Sequence, residues 1–189
     1  AFSFYPTKIL GSFGDGGAII TNNLNLYNRA KKYRNHGRND KGKILSWGEN
    51  SRLDNLQAAI LNYNLKKINF NIKNRVFVSN IFYNRLKNNP NIHFHLRSFV
   101  QNDYEDVFQN LEILVKNRTN LMKFLYKHNI QTLIQWKGLP LNTLNLENLQ
   151  SNSLPNTNYY FKKCLCIPIS NYIKKNEVNY IADKINQFY

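Results

Sequence analysis

The sequence is poor in cysteine and in long apolar runs, and each shortage excludes a class of protein. No apolar run approaches the roughly 18 residues that a membrane-spanning helix needs, so we expect no membrane partner. The chain of 189 residues has two cysteines, Cys164 and Cys166. A disulfide between such close neighbours would be strained, and no metal-ligand set accompanies them. We therefore expect reduced, buried thiols on one face of a strand, in a cytoplasmic protein without a bound metal.

Acidic residues are also scarce. Asp and Glu number 11 against 26 Lys and Arg, which gives a formal charge of +15 at pH 7. Such an excess would suit a nucleic-acid partner. The positive charge is spread along the chain, however. Asn, Lys, Ile, Tyr and Phe are encoded by A/T-rich codons and are abundant together, so base composition accounts for much of the lysine excess. We expect no nucleic-acid partner, although a positive field would attract a nucleotide diphosphate. A basic nucleic-acid-binding protein remains the less favoured alternative, marked by steeply salt-dependent binding.

The most informative stretch is the first eighteen residues, AFSFYPTKILGSFGDGGA. The pattern predicts a short strand, a glycine-rich loop that presents Lys8, and a return strand at residues 18–21. A lysine amine becomes a nucleophile when it is partly desolvated or lies near another cation, as Schiff-base chemistry requires. Taken alone, composition favours the reading of Lys8 as an ordinary solvated lysine, because most lysines face water.

The rest of the chain alternates helical and strand patterns. Asn22 or Asn23 can cap a first helix that ends near Gly37, and a polar loop follows to residue 50. Asp54 and Gln57 form a capping-box variant at the start of a second helical stretch. Beyond Pro90 a smaller α/β unit is predicted. Its strands are expected at 107–115, 130–136 and 164–169, with helices around residues 121–128 and 178–188 and a loop at 138–158.

Several segments together resemble the DegT/DnrJ/EryC1/StrS family of sugar aminotransferases, which use pyridoxal phosphate. The specific ones are FSFYPTKILGSFGDGGAIITN at residues 2–22, RNHGR at 34–38 and GENSRLDNLQAAIL at 48–61. Weaker similarity lies in DVFQN, IQW, LPNT and CLCIPIS. Members of the family are about twice as long, with the lysine near the middle. The resemblance therefore implies that this chain is the C-terminal half of such an enzyme.

The implied fold is α/β, the pyridoxal-phosphate-dependent transferase fold type I, also described as aspartate aminotransferase-like. Residues 1–68 would be the end of the large cofactor-binding domain, and residues 69–189 the small C-terminal α/β domain. The implied reaction moves an amine from an amino acid, expected to be glutamate, to a keto group of a nucleotide-linked deoxysugar for surface-polysaccharide or glycan biosynthesis. The cofactor alternates between pyridoxal phosphate and pyridoxamine phosphate, and two subunits share their active sites in a homodimer.

The resemblance also assigns roles to individual residues. Lys8 would form the Schiff base and then move the substrate proton as base and acid. A related dehydrating subset carries histidine there, so the lysine favours transamination. Ser3 would contact the cofactor phosphate, and Asn50 would reach the phosphate in the neighbouring subunit. Each residue could instead have only a structural role. Ser3 could be a local cap, and Asn50 a capping or turn residue before a helix.

The substrate-binding assignments are weaker. Arg52 suits a phosphate or carboxylate, or could pair with Asp54 or Glu49. His36 lies at a helix end where a cation is favourable, which alone could account for it. Tyr5 would line the sugar pocket unless it belongs to the core.

Gln135 and Trp136 stand where many relatives have a histidine and an aromatic residue. A neutral amide there replaces a side chain that could hold the donor carboxylate. Because the residues that pair with the cofactor ring would lie in the missing half, we expect this chain alone to bind cofactor poorly. A non-catalytic remnant or assembly module of the same fold is the other alternative.

Overall fold

The computed structural model describes residues 1–94, 106–140 and 154–189. The chain divides into two compact units, Ala1–Phe70 and Asn71–Tyr189. The division falls within the first turn of a helix, Ile68–Leu86.

The first unit contains two short strands, β1 at Phe2–Ser3 and β2 at Gly17–Ala18, which pair antiparallel. Helix α1 spans Leu24–Tyr33, and helix α2 spans Asn55–Leu65. Asn23 caps α1 as predicted, because its Oδ1 accepts a hydrogen bond from the backbone N of Leu26 at 3.0 Å. The return strand is shorter and begins earlier than expected, since only its first residues have a strand to pair with.

The second unit is built on a three-stranded antiparallel sheet in the order β3-β4-β5. Strands β3, β4 and β5 span Ile92–Phe94, Leu111–Val115 and Cys164–Ile167. Four helices accompany the sheet in the described residues of this unit: α3 at Ile68–Leu86, α4 at Arg118–Lys127, α5 at Pro155–Lys163 and α6 at Lys175–Phe188.

Alternation along the central strands separates an apolar face from a mixed one. Leu111 pairs with Ile167 and Ile113 with Leu165, and all four are buried in the main core. That core also contains side chains from three helices. On the opposite face Glu112 pairs with Cys166, and Leu114 with Cys164. Both thiols are free and buried, as the sequence predicted.

Three predicted elements differ from the structure. Residues 130–136 form an isolated bridge between Leu133 and Cys166 and then a 3₁₀ turn at Gln135–Gly138 instead of a strand. The strand expected at 107–115 begins only at Leu111, because Phe108 adopts a positive φ of 49° that breaks the extended run. The loop predicted at 138–158 ends early, at α5; residues 141–153 lie outside the described residues.

Candidate functional site

The loop between β1 and β2 carries Lys8, and the backbone fixes its two ends. The amide N of Phe4 donates to the carbonyl of Gly16 at 2.8 Å, which closes the loop just beyond the strand pair. Inside it, the amide N of Lys8 donates to the carbonyl of Tyr5 at 2.8 Å and makes a tight turn. Lys8 therefore projects from a turn with a defined backbone.

The Lys8 side chain is exposed. Within the described residues its amine has no hydrogen-bond or ion-pair partner. In this chain the turn lies at the surface of its unit, so other segments of the chain do not desolvate the amine. The amine is accessible to a reactant.

Ser3 and Tyr5 lie beside Lys8 in the same loop. The Ser3 Oγ accepts a long hydrogen bond, 3.4 Å, from the amide N of Tyr5. An accepting hydroxyl keeps its own proton for another acceptor, so Ser3 can still donate to an anion. Tyr5 is 50% exposed, which rules out the reading of this ring as a core residue of the chain.

A second group of predicted residues surrounds the end of α1. The segment that precedes α2 runs beside the end of α1. His36 N donates to the Glu49 carbonyl at 2.9 Å, Glu49 N donates to the Tyr33 carbonyl at 2.7 Å, and Asn35 forms a bridge with Asn50. Glu49 also accepts a hydrogen bond from the Tyr33 hydroxyl at 2.8 Å, and this contact raises the pKa of Tyr33. The structure thus brings His36, Asn50 and Arg52 into one small region.

Asn50 and Arg52 contact each other directly. The Arg52 Nε donates to Asn50 Oδ1 at 3.0 Å. In the described part of the chain Arg52 forms no ion pair, so pairing with Asp54 or Glu49 is not its role there. With Oδ1 occupied, Asn50 Nδ2 and the remaining guanidinium donors are left for an anion.

Leu53 and helix α2 contact the Lys8 loop. Gly16 lies against Leu53, just after Arg52; a Cβ built on Gly16 would lie 3.0 Å from Leu53 Cδ1. Gln57 Oε1 accepts from the backbone N of Phe13 at 2.8 Å, and Asn64 Nδ2 donates to the Gly11 carbonyl at 2.9 Å.

Gln57 and Asn64 were missed by the sequence argument, which assigned Gln57 to a helix cap. Asp54 makes no side-chain capping bond, so the capping-box prediction is wrong. The spacing of these residues along the helix could have revealed their role. Gln57, Leu61 and Asn64 follow the i, i+4, i+7 spacing of one helix face, and Leu61 is buried. Two amides beside a buried leucine indicate polar contacts with a neighbouring segment.

Gln135 belongs to the second unit, where it begins the 3₁₀ turn. The next two residues, Trp136 and Lys137, have positive φ values of 50° and 55°, and Trp136 is 80% exposed. The predicted residues thus fall in two units: Lys8, Ser3, Tyr5, His36, Asn50 and Arg52 in the first, and Gln135 in the second. No group of three or more His, Cys, Asp or Glu side chains in residues 1–94, 106–140 and 154–189 could hold a metal ion.

Comparison with protein families decides the relationship. The model of the DegT/DnrJ/EryC1/StrS aminotransferase family matches residues 1–186. The chain belongs to this family. The α/β fold predicted for it, that of the type I pyridoxal-phosphate-dependent transferases, is confirmed by solved structures of family members. No helix among the described residues has the length and apolar character to cross a membrane.

Individual members of the DegT/DnrJ/EryC1/StrS family resemble the chain throughout. It is 35% identical to dTDP-3-amino-3,6-dideoxy-alpha-D-galactopyranose transaminase from Aneurinibacillus thermoaerophilus, over 99% of this chain and 50% of that protein. The crystal structure of DesV from Streptomyces venezuelae, in complex with a ketimine intermediate, matches with a TM-score of 0.91 and 28% identity, over 99% of this chain and 50% of that one. NtdA from Bacillus subtilis with bound PMP matches with a TM-score of 0.85 and 24% identity, over 98% and 44%. The chain spans about half the length of these relatives.

The residues present fit the cofactor of the DegT/DnrJ/EryC1/StrS family. A phosphorylated aldehyde requires an accessible amine and several hydrogen-bond donors for its phosphate. Lys8 supplies an exposed amine, Ser3 a hydroxyl that can still donate, and Asn50 an amide that Arg52 orients with its nitrogen away. Lys8 and Arg52 add two cations to these donors, as an anionic ligand favours, and the nearby Glu49 carboxylate accepts a hydrogen bond from the Tyr33 hydroxyl.

Proposed function

We propose that this chain is the C-terminal half of a pyridoxal-phosphate-dependent aminotransferase. It would move an amine from an amino acid, expected to be glutamate, to the keto group of a nucleotide-linked deoxysugar. The observation that carries the proposal is the Lys8 amine, exposed on a fixed turn and without a hydrogen-bond or ion-pair partner among the described residues, in a chain of the DegT/DnrJ/EryC1/StrS family. The transaminase from Aneurinibacillus thermoaerophilus supports the sugar-nucleotide class of substrate.

Lys8 would carry the proton transfers. When bound, pyridoxal phosphate supplies the electron sink for removing a proton from the carbon that bears the amine. The neutral Nζ of Lys8 would accept that proton, and the resulting ammonium would return it to the carbon on the other side of the amine nitrogen. The hydrogen bond from the Lys8 amide N to the Tyr5 carbonyl fixes the backbone from which this side chain would move.

Ser3 and Asn50 would bind the cofactor phosphate, with Arg52 orienting the Asn50 amide. The hydroxyl of Ser3 acts within its own subunit. Asn50 would act in the partner site of a homodimer, so that each cavity is completed by two subunits. Hydrogen bonds to a charged phosphate are worth about 1.5–3 kcal/mol each, so loss of either donor should weaken binding measurably.

Three further residues would recognise the two substrates. Residues 1–68 would be the end of the large domain and residues 69–189 the small domain. Tyr5 and His36 would contact the sugar nucleotide, whose diphosphate the net charge of +15 attracts. Gln135 would donate its amide to the carboxylate of the amino donor. All of these steps would take place in the cytoplasm.

The direct test is reduction with borohydride of the assembled holoenzyme, meaning this chain together with the half that its relatives have in addition. After incubation with limiting pyridoxal phosphate and digestion, mass spectrometry should find the pyridoxyl group on Lys8. Lys41, an exposed loop lysine, is the internal control for non-specific labelling. Lys8→Arg keeps the charge and should abolish both the label and transamination.

The outcomes separate the alternatives. Label spread over Lys41 and other surface lysines, without preference for Lys8, would contradict the proposal and favour a non-catalytic assembly module. The 189-residue chain alone should show little visible absorbance with the cofactor, because half of the relatives' length is absent from it.

A further inference from the structure

Two amide side chains of α2 hold the loop that carries Lys8. Gln57 accepts from the backbone N of Phe13 at 2.8 Å, a contact between residues 44 positions apart. Further along the same helix, Asn64 donates to the Gly11 carbonyl at 2.9 Å, across 53 positions. Both amides are half-buried. One bond uses a backbone donor, the N of Phe13, and the other a backbone acceptor, the carbonyl of Gly11. Together they fix the position and direction of the backbone between these residues.

The loop between these two anchors has its own internal link. Ser12 is buried, its amide N donates to the Phe4 carbonyl at 2.8 Å, and its hydroxyl lies within hydrogen-bond distance of the carbonyls of Phe4 and Gly14. Phe4 directly precedes Tyr5, whose carbonyl accepts from the amide N of Lys8. Hydrogen bonds joined by single peptide links therefore connect α2, through Ser12, to the turn of Lys8.

Glycine makes this close approach possible. A Cβ at Gly14 would lie 3.2 Å from Nε2 of Gln57, so a larger residue would press on the amide. At Gly11 a Cβ would lie 2.6 Å from the Pro6 carbonyl oxygen, which real contacts do not allow. Gly14 thus allows the loop to lie close to Gln57 on α2, and Gly11 allows the loop backbone to fold tightly against Pro6.

We infer that Gln57 and Asn64 are positioning residues for Lys8. They hold the Gly11–Gly14 backbone on α2, so that the Lys8 amine stays within reach of its carbon. The inference rests on the proposed function for its catalytic consequence, whereas the attachment of the loop can be measured without cofactor. Misplacement of a reacting group by about 1 Å can cost roughly a hundredfold in rate.

The first measurement is hydrogen exchange of the 189-residue chain, without cofactor. Gln57→Met keeps the size and removes the acceptor, and it should speed exchange of the Phe13 amide roughly five- to tenfold. Gln57→Glu keeps an acceptor oxygen and should retain the protection. Asn62→Leu, on an exposed position of the same helix, is the control for a changed α2. Exchange at Phe13 that is equal in Gln57→Met and Asn62→Leu would overturn the inference.

The second measurement is steady-state kinetics of the assembled holoenzyme. Gln57→Met and Asn64→Leu should lower kcat roughly 10- to 100-fold with the KM of both substrates within about twofold, and Gln57→Glu should restore most of kcat. Unchanged kcat in a variant with faster exchange would overturn the positioning role. Absence of Lys8 labelling in the unsubstituted holoenzyme would instead refute the proposed function. The exchange measurement would still show whether Gln57 holds the loop. If Gln57→Met fails to fold, Asn64→Ser with exchange across residues 9–14 decides the attachment.

Discussion

The Nε of Arg52 donates to the Oδ1 of Asn50 at 3.0 Å, and this contact determines which way the amide faces. A guanidinium has donors only, so the oxygen of Asn50 must lie toward it and the nitrogen away from it. The orientation of a donor proposed for the cofactor phosphate is thus set by a neighbour two residues along the chain.

Replacing Asn50 by Asp should weaken cofactor binding. The substitution removes the Nδ2 donor and places a carboxylate near the phosphate, so the dissociation constant of pyridoxal phosphate for the assembled holoenzyme should rise roughly 10- to 100-fold. Asn28→Asp, on the exposed side of α1, makes the same change in net charge and should have little effect. Fluorescence titration with cofactor measures both, and equal affinities for the two variants would argue against a phosphate role for Asn50.

Gly37 and Gly42 provide a matched pair for testing the loop after α1. Both have positive φ, 69° and 79°. A Cβ on Gly37 would lie 1.7 Å from the Ser46 carbonyl oxygen, whereas one on Gly42 would meet nothing within 4 Å. Gly42→Ala should therefore lower the free energy of unfolding only by the strain of a side chain at positive φ, about 1 kcal/mol. Gly37→Ala should lower it several times as much. Urea unfolding monitored by fluorescence gives both values; equal losses would mean that the clash at Gly37 relaxes freely.

Phe82 and Phe77 lie on the same helix, α3, with opposite environments. Phe82 is fully buried in the core of the second unit, and Phe77 is 56% exposed. Phe82→Ala should lower the free energy of unfolding by about 3–5 kcal/mol, from lost burial and the cavity left behind. Phe77→Ala should cost less than about 1 kcal/mol in the isolated chain. Denaturant titration with circular dichroism tests the difference, and a similar cost for both would place the core elsewhere.

Tyr189 should make stability depend on alkaline pH. Burial raises the pKa of its hydroxyl to about 12 from an ordinary 10, and the hydroxyl donates to the Lys116 carbonyl. The folded state keeps a proton that the unfolded state loses, so this stabilisation is complete below pH 10 and is lost as the pH rises toward 12.

Tyr189→Phe removes that contribution, so its stability should decline less steeply than that of the unsubstituted chain between pH 10 and pH 12. Below that window the variant should be less stable by about 1 kcal/mol, for the lost hydrogen bond. Tyr172→Phe, at an exposed tyrosine, is the control. Urea unfolding at a series of pH values measures the slopes; parallel curves for the two variants would contradict the burial of the Tyr189 hydroxyl.

The sequence predicted those features that local chemistry determines. The cap at Asn23, the helices α1, α4 and α6 and the alternation of β5 all depend on side chains close in the chain. The lysine turn was predictable for the same reason, since its glycines and Pro6 lie beside Lys8.

Contacts between residues far apart in the chain could not be predicted from the sequence. Gln57 satisfied a capping pattern and instead bonds to Phe13, and no local rule reveals a partner 44 residues away. The predicted strand at 130–136 failed because Trp136 and Lys137 adopt left-handed conformations, which apolar periodicity does not encode. The exposure of Lys8 depends on which other segments cover its loop, and composition near the lysine says nothing about them.

Leu61 is the single buried hydrophobic residue among residues 1–70, all of which the structure describes. The increase in heat capacity on unfolding scales with the apolar area newly exposed to water. Calorimetry of the isolated chain should therefore record an increment that comes mainly from residues 71–189 and is smaller than its length of 189 residues would give.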